Sequence, residues 1–244
     1  MRLDRILANS GLGSRTDVKN LIRKGRISLN GEILKSGKTQ IRDDEKHLLR
    51  FDNKPIATSK HLYYAFYKPA GYTSTAEKDD TENIFTFLPE MFYDKRIMPV
   101  GRLDKDTTGL LLLTNNGKLN HKLLAPRYKV PRVYYVEVEI LDHPFTDEDI
   151  EALAAGIALN EEEIARPAEL EIVSDTQAYL TLYEGKFHEV KRMMHAIGKE
   201  VTILHRDSYG PIELMDESIG EYWKLERSEI EALFDAARMD YKEI

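Results

Sequence analysis

The sequence predicts an α+β protein in two parts: a small N-terminal module of two helices and a hairpin, and a larger body built on a mixed, largely antiparallel sheet. Three observations lead there. Beyond residue 61, strand-like segments outnumber helical ones and do not alternate strictly with them, which disfavours a doubly wound parallel sheet. Charge divides the chain: residues 1–60 hold 14 Lys and Arg against 7 Asp and Glu, a balance of +7, and the remainder holds 21 against 35, or −14, within a net charge of −7. A polar, proline-containing stretch, residues 52–61, separates the two regions. The expected domains are residues 1–58 and 62–244.

Leu3, Ile6 and Leu7 mark a short amphipathic helix that ends near Asn9-Ser10-Gly11. Ser14-Arg15-Thr16-Asp17 has the Ser-x-x-acid form of a capping box, and Val18, Leu21 and Ile22 follow at helical spacing. Ile27-Ser28-Leu29 and Glu32-Ile33-Leu34 flank Asn30-Gly31, a strong short-range hairpin signal. Arg15, Lys19, Arg23, Lys24 and Arg26 fall on or just after the second helix, as a stripe suited to a phosphate backbone or, equally, as a solvated face.

In the body, strands are expected at Tyr63–Tyr67, Val133–Ile140, Glu169–Val173, Ala178–Tyr183 and Val201–Leu204. Helices are expected at Lys118–Leu124, Asp147–Ala155, Phe187–Ile197 and Glu229–Ala237, the last behind a capping box at Ser228 to Glu231. The apolar run Leu110 to Leu113, closed by an Asn116-Gly117 turn, reads as a fully buried strand, so the loop before it, Gly101 to Gly109, is pinned to the core. That loop carries Arg102, Asp104, Asp106, Thr107 and Thr108. Spacing alone favours an Asp-rich turn capping a strand, and it does not distinguish Asp104 from Asp106. Glu161-Glu162-Glu163 reads as a solvated acidic surface.

Composition sets the bounds. The chain has 244 residues, 42% of them hydrophobic, enough for a sizeable core. It has no cysteine, which excludes disulfides, thiolate metal sites and a thiol nucleophile. With no hydrophobic leader at Met1-Arg2-Leu3-Asp4-Arg5 and no apolar run of membrane-spanning length, a cytoplasmic protein without a membrane partner is expected. No dinucleotide-binding glycine pattern, P-loop or metal-ligand cluster is present, so no cofactor or metal is expected. His188 lacks a second ligand at helical spacing and reads as a hydrogen-bonding residue.

The segment from Gly101 through Asn116-Gly117 to His121-Lys122-Leu123-Leu124-Ala125-Pro126-Arg127 resembles the signature of the RsuA-type pseudouridine synthases, which isomerise a uridine in ribosomal RNA. The resemblance implies that Asp104 is the catalytic residue, as nucleophile or as base toward the ribose. Arg132-Val133-Tyr134 is similar to the family's Lys-x-Tyr motif, with Arg132 in place of Lys, which implies that Tyr134 stacks on the target base. Alternation alone leaves open whether Tyr134 or Tyr135 faces inward. The run Glu184 to Met194 resembles a further family motif. Val190, Met193, Met194 and Ile197 would form the buried stripe of its helix, and the basic residue at position 191 would pair with the catalytic carboxylate. By the same resemblance Lys191 joins the catalytic set, Leu204 walls the base pocket, and Arg102, Thr107 and Arg192 contact substrate.

At the N-terminus, Ser14-Arg15, Arg26-Ile27 and Asn30-Gly31 resemble the small αL RNA-binding domain named after ribosomal protein S-four. This implies that Ser14, Arg15, Lys19, Arg23, Lys24, Arg26 and Asn30 face RNA. The wording of Lys186 to Met193 resembles the member that modifies uridine 516 of 16S ribosomal RNA. The expected partner is therefore 16S ribosomal RNA or a small-subunit assembly intermediate, engaged by a monomer. The alternatives are a 23S-directed synthase of the same family and a noncatalytic RNA-binding assembly factor.

Overall fold

The computed structural model describes residues 1–10, 12–56, 61–75 and 81–241. They fall into two compact units, residues 1–61 and residues 62 onward.

In the first unit, α1 (Leu3–Asn9) and α2 (Arg15–Arg23) are followed by β1 (Ile27–Leu29), β2 (Glu32–Ile33), a 3-10 turn, β3 (Leu49–Phe51) and β4 (Lys54–Pro55). The capping box at α2 is present in both arms: Asp17 N–H donates to Ser14 Oγ at 3.3 Å, and Ser14 N–H donates to Asp17 Oδ2 at 2.9 Å. Asn30 and Gly31 both take left-handed backbone, φ 49° and 89°, the geometry that lets a two-residue turn follow the twist of its strands. Leu3, Ile6, Leu7, Val18, Ile22 and Ile27 close the core. The antiparallel sheet has the order β2-β1-β3-β4. Lys54 and Pro55 thus form an edge strand, where a proline's missing N–H costs nothing, although the polar stretch from residue 52 reads as linker in the sequence. Thr58, the expected end of the first domain, lies outside the described residues.

The second unit contains, in order, β5 (Tyr63–Lys68), α3 (Met91–Asp94), β6 (Met98–Pro99), β7 (Thr108–Thr114), α4 (Gly117–Leu124), β8 (Arg132–Ile140), α5 (Asp147–Ala155), β9 (Glu169–Ser174) and β10 (Gln177–Leu182). It continues with α6 (Glu189–Ala196), β11 (Lys199–Tyr209), β12 (Ile212–Glu213), β13 (Tyr222–Lys224) and α7 (Arg227–Ala236). Among the described residues these strands form one sheet of order β13-β5-β7-β11-β8-β10-β9, with β6 beside β7 and β12 beside β11. The β7–β11 ladder is parallel and the other ladders between these strands are antiparallel, the mixed sheet expected.

Leu111 and Leu113 pack into the core on one face of this sheet, and Leu110 and Leu112 into the core on the other. A strand covered on both faces has no polar side to alternate with, which is why the leucine run is unbroken.

Several local readings shift. The Asn116-Gly117 turn that closes the leucine run is also the start of α4: Asn116 Oδ1 accepts from Leu119 N–H at 3.2 Å and caps the helix. The box at α7 starts at Glu226, whose N–H donates to Glu229 at 2.6 Å, so Ser228 is already inside the helix. The helix expected from Phe187 begins only at Glu189, because His188 sits in left-handed backbone at φ 49°. The strand expected at Val201–Leu204 extends from Lys199 to Tyr209, with two register shifts.

Candidate active site

A cavity of about 560 Å³ opens where the loop entering β7, the inner face of β8 and β11, and the loop entering α6 meet. Its first wall is the Gly101–Thr107 loop, fastened from below. Ser74 Oγ donates to Leu103 O at 2.9 Å and accepts from Leu103 N–H at 3.1 Å, all within the buried interior. Lys68, at the end of β5 and fully buried, donates through Nζ to the carbonyls of Pro69, Lys105 and Thr107 at 2.9, 3.2 and 2.8 Å. Burial lowers the Lys68 pKa to about 8, against the charges of Asp106 and Asp104, which favour its protonated form. At the loop's far end Gly109 has φ 111°, and a Cβ there would lie 2.3 Å from the Arg206 carbonyl oxygen. Only glycine lets the β7 and β11 backbones approach this closely.

Asp104 lines the cavity, and its Oδ1 lies 3.6 Å from His188 Nε2. The ion pair expected between Lys191 and Asp104 is not formed. Lys191 Nζ instead binds both carboxylate oxygens of Asp106, at 2.7 and 2.6 Å. Position 188 turns its ring toward Asp104 through its left-handed backbone, and Lys191, in the first turn of α6, reaches the carboxylate two residues further on. Burial works to raise the Asp106 pKa, but the hydrogen bond and charge of Lys191 prevail and hold it below 3.8. Arg192, expected at the substrate, is committed elsewhere: it donates to Glu163 at 2.6 Å and to the Phe187 carbonyl at 3.2 Å. Glu163 is correspondingly a partner of Arg192 and not merely solvated surface.

Tyr134 and Tyr135 are now distinguished. Tyr134 is buried on the cavity face of β8, whereas Tyr135 points to the other face and donates to Glu137 at 2.6 Å. The Tyr134 hydroxyl accepts from Arg206 Nη1 at 3.3 Å, and Arg206 Nε donates to Leu110 O at 2.8 Å. Leu204, two residues before Arg206 on β11, completes this side. Thr107 also lines the cavity, buried, with no hydrogen-bond partner for its Oγ1. Arg102 lies exposed at the mouth. Arg132 is buried and also lines the cavity, donating to Leu123 O at 3.3 Å and to the Tyr209 hydroxyl at 3.1 Å.

Glu189, the first residue of α6, is a further wall residue. Burial raises its pKa to about 7, aided by the neighbouring Glu184 and opposed by the Lys186 N–H it accepts at 2.8 Å.

Sequence reading did not single out Ser74, Lys68, Arg206 or Glu189. Arg206 was within reach, since it shares a strand face with Leu204 two residues away. Apart from the Lys68 bond to Pro69, Lys68 and Ser74 act through contacts 29 to 39 residues distant and carry no local signal.

On the first unit, Arg15, Lys19, Arg23 and Lys24 are exposed. Arg26 is exposed but paired with Asp52 and stacked over Phe51 at 4.4 Å. Ser14 is engaged in the α2 cap and Asn30 in the hairpin turn. Among the described residues no three His, Asp or Glu side chains are grouped as a metal site, and no helix is long and apolar enough to cross a membrane.

Residues 62–196 match the family model for RNA pseudouridylate synthase, and residues 1–46 match that of the S4 domain. The ribosomal small subunit pseudouridine synthase A of Escherichia coli K12 is 36% identical over 94% of this chain and 98% of its own. That of Yersinia pestis is 36% identical over 94% and 97%. An uncharacterized RNA pseudouridine synthase of Bacillus subtilis is 37% identical over 96% and 98%. A crystal structure of a pseudouridylate synthase matches 96% of this chain and 99% of that one, with a TM-score of 0.65 and 35% identity. A family model over more than half of the chain and relatives 36% identical over 94% of it show that the chain belongs to the RNA pseudouridylate synthase family.

Proposed function

We propose that this protein converts a uridine of small-subunit ribosomal RNA to pseudouridine, with Asp104 as the reactive carboxylate. The observation that carries the choice is the division between the two loop acids: Asp104 lines the cavity together with Tyr134 and Leu204, while Asp106 is held by Lys191. The reaction breaks the bond from uracil N1 to C1′, turns the base and joins C5 to C1′. The C5 proton is released and N1 is protonated, with no net redox change or hydrolysis. Asp104 serves either by attacking C1′ or by taking a ribose proton; both need an ionised carboxylate aimed at the sugar, and a loop fastened by Ser74 and Lys68 meets that need.

Extruding a uridine costs a few kcal/mol of lost stacking, and the Tyr134 ring and Leu204 side chain offset part of it inside the cavity. The first unit, read as residues 1–58, holds the RNA backbone through Arg15, Lys19, Arg23 and Lys24. The names of the relatives support the small subunit as target, and a cytoplasmic place of work goes with that substrate; the choice of uridine 516 rests on the wording of Lys186 to Met193 alone.

The test is to incubate the purified protein with 16S transcript and with partly assembled small subunits, then map pseudouridine, alongside a map from a strain lacking the gene. One new 16S site in vitro and its loss in the strain are expected. Loss of a 23S site with 16S intact would contradict the choice of target, and no change in either RNA would leave an assembly factor as the better reading.

A further inference from the structure

Phe187 is the one phenylalanine among the exposed large hydrophobic side chains of the described residues, 75% exposed, and it lies at the catalytic cavity. Its ring stacks on His188, with centroids 3.9 Å apart and planes 16° from parallel, so one face is covered and the other meets solvent. The surrounding backbone is tightly held. Arg192 donates to the Phe187 carbonyl, Lys186 N–H donates to Glu189, and Lys186 Nζ donates to Ile164 O at 2.6 Å and to Glu184 at 2.8 Å. His188 occupies the left-handed region, a conformation that costs a non-glycine residue free energy unless its surroundings impose it. An aromatic ring on a held backbone thus stands in water, outside the core, stacked on the residue whose imidazole lies 3.6 Å from Asp104.

We propose that the Phe187–His188 stack is a subsite for a second nucleobase, the neighbour of the extruded uridine, which lies on the open face of Phe187. This rests on the reading of the cavity as a uridine site. A strand that delivers one base into the cavity leaves the adjoining base without its stacking partner, and an aromatic face at the rim replaces that partner without reading base identity. Because the ring already rests against His188, part of its side-chain freedom is given up before binding. A purine, with the larger π surface, is favoured over a pyrimidine at that position.

The experiment uses the full-length protein and synthetic RNAs spanning the modified uridine, with the 5′ or the 3′ neighbour intact or replaced by an abasic ribose. Binding is followed by anisotropy, and turnover by pseudouridine formation. Phe187→Ala should weaken Kd and raise KM on intact RNA by about tenfold, the size of one base–aromatic stack, with kcat far less affected. Phe187→Trp should restore both. On the RNA lacking the stacked neighbour, wild type and Phe187→Ala should bind alike, a coupling seen at one of the two neighbours. Wild-type constants for Phe187→Ala, or equal losses on all the RNAs, would overturn the subsite while leaving the synthase reading intact. If the wild-type protein converts no uridine in ribosomal RNA, the synthase reading fails and the subsite falls with it.

Discussion

The loop that carries Asp104 and the helix segment that carries Arg15 and Lys19, with Lys24 at its C-cap, are built by opposite rules. The loop hangs from buried groups: Lys68 holds three carbonyls from beneath, Ser74 holds both sides of Leu103, and Gly109 lets β7 and β11 meet. The helix segment has no comparable anchoring, and its cations stand exposed on α2 and at its C-cap. The difference follows from the tasks. Chemistry at a ribose requires an oxygen fixed to a fraction of an ångström, whereas attraction to phosphates requires only that charge be near. Substitutions in the first region should therefore act on stability and rate, and those in the second on affinity and its salt dependence.

The largest effect that sharpens this contrast is expected at Lys68. Lys68→Met takes the Nζ donor from the Pro69, Lys105 and Thr107 carbonyls, of which Lys105 keeps the Gly71 N–H at 2.7 Å. It should lower stability by about 3 kcal/mol or more and the single-turnover rate by about 100-fold, with little change in RNA affinity. Thermal melts and single-turnover assays at saturating RNA check it, and a wild-type rate would show that the loop does not need this anchor. Ser74→Ala should act in the same sense at smaller scale, about 1–3 kcal/mol and about tenfold in rate.

On the other side of the comparison, replacing Arg15, Lys19 and Lys24 by Gln should leave melting within about 0.5 kcal/mol of wild type and the saturated rate unchanged. Binding should weaken, and the slope of log affinity against log salt should flatten by about 2 units. Arg26→Gln should change that slope much less, since Asp52 already neutralises Arg26. Anisotropy titrations across a salt series decide both, and an unchanged slope in the triple variant would remove α2 from the RNA interface.

The smallest effect concerns pH. The Glu189 pKa, raised to about 7 from 4.5, means that the folded state retains a proton that the unfolded chain has lost between those values. That contribution to stability is complete below about pH 4.5 and is lost as pH rises through about 7. Glu184 works against it: burial acts to raise its carboxyl, but the hydrogen bonds from Lys186, the Arg166 N–H and Glu189, with the Lys186 charge, together lower it. Glu189→Gln should therefore reduce the fall in melting temperature between pH 5 and 8 by a few degrees. An identical pH profile in the variant would assign that titration to another group.

What was legible in the sequence was local. The Ser14–Asp17 box, the Asn30-Gly31 turn and the leucine run of β7 each signal over a few residues, and each is found where expected. What was not legible depends on distant partners. Nothing in Gly-Arg-Leu-Asp-Lys-Asp says that Lys191 chooses Asp106, because that choice is set by where α6 starts and by the left-handed turn at His188. Arg192 looked available until Glu163, 29 residues away, took its guanidinium. Strands β3 and β4 escaped notice because they span only three and two residues, too few for an alternation to show.

The most direct measurement compares Asp104→Asn with Asp106→Asn in single-turnover pseudouridine formation on the same 16S RNA, with Kd measured in parallel. Asp104→Asn should form no detectable product while binding RNA nearly as wild type does. Asp106→Asn loses only the partner of Lys191 at an exposed pair and should keep its rate within about tenfold. An inactive Asp106→Asn beside an active Asp104→Asn would contradict the assignment, and with it the claim that the fastened loop is built to aim Asp104.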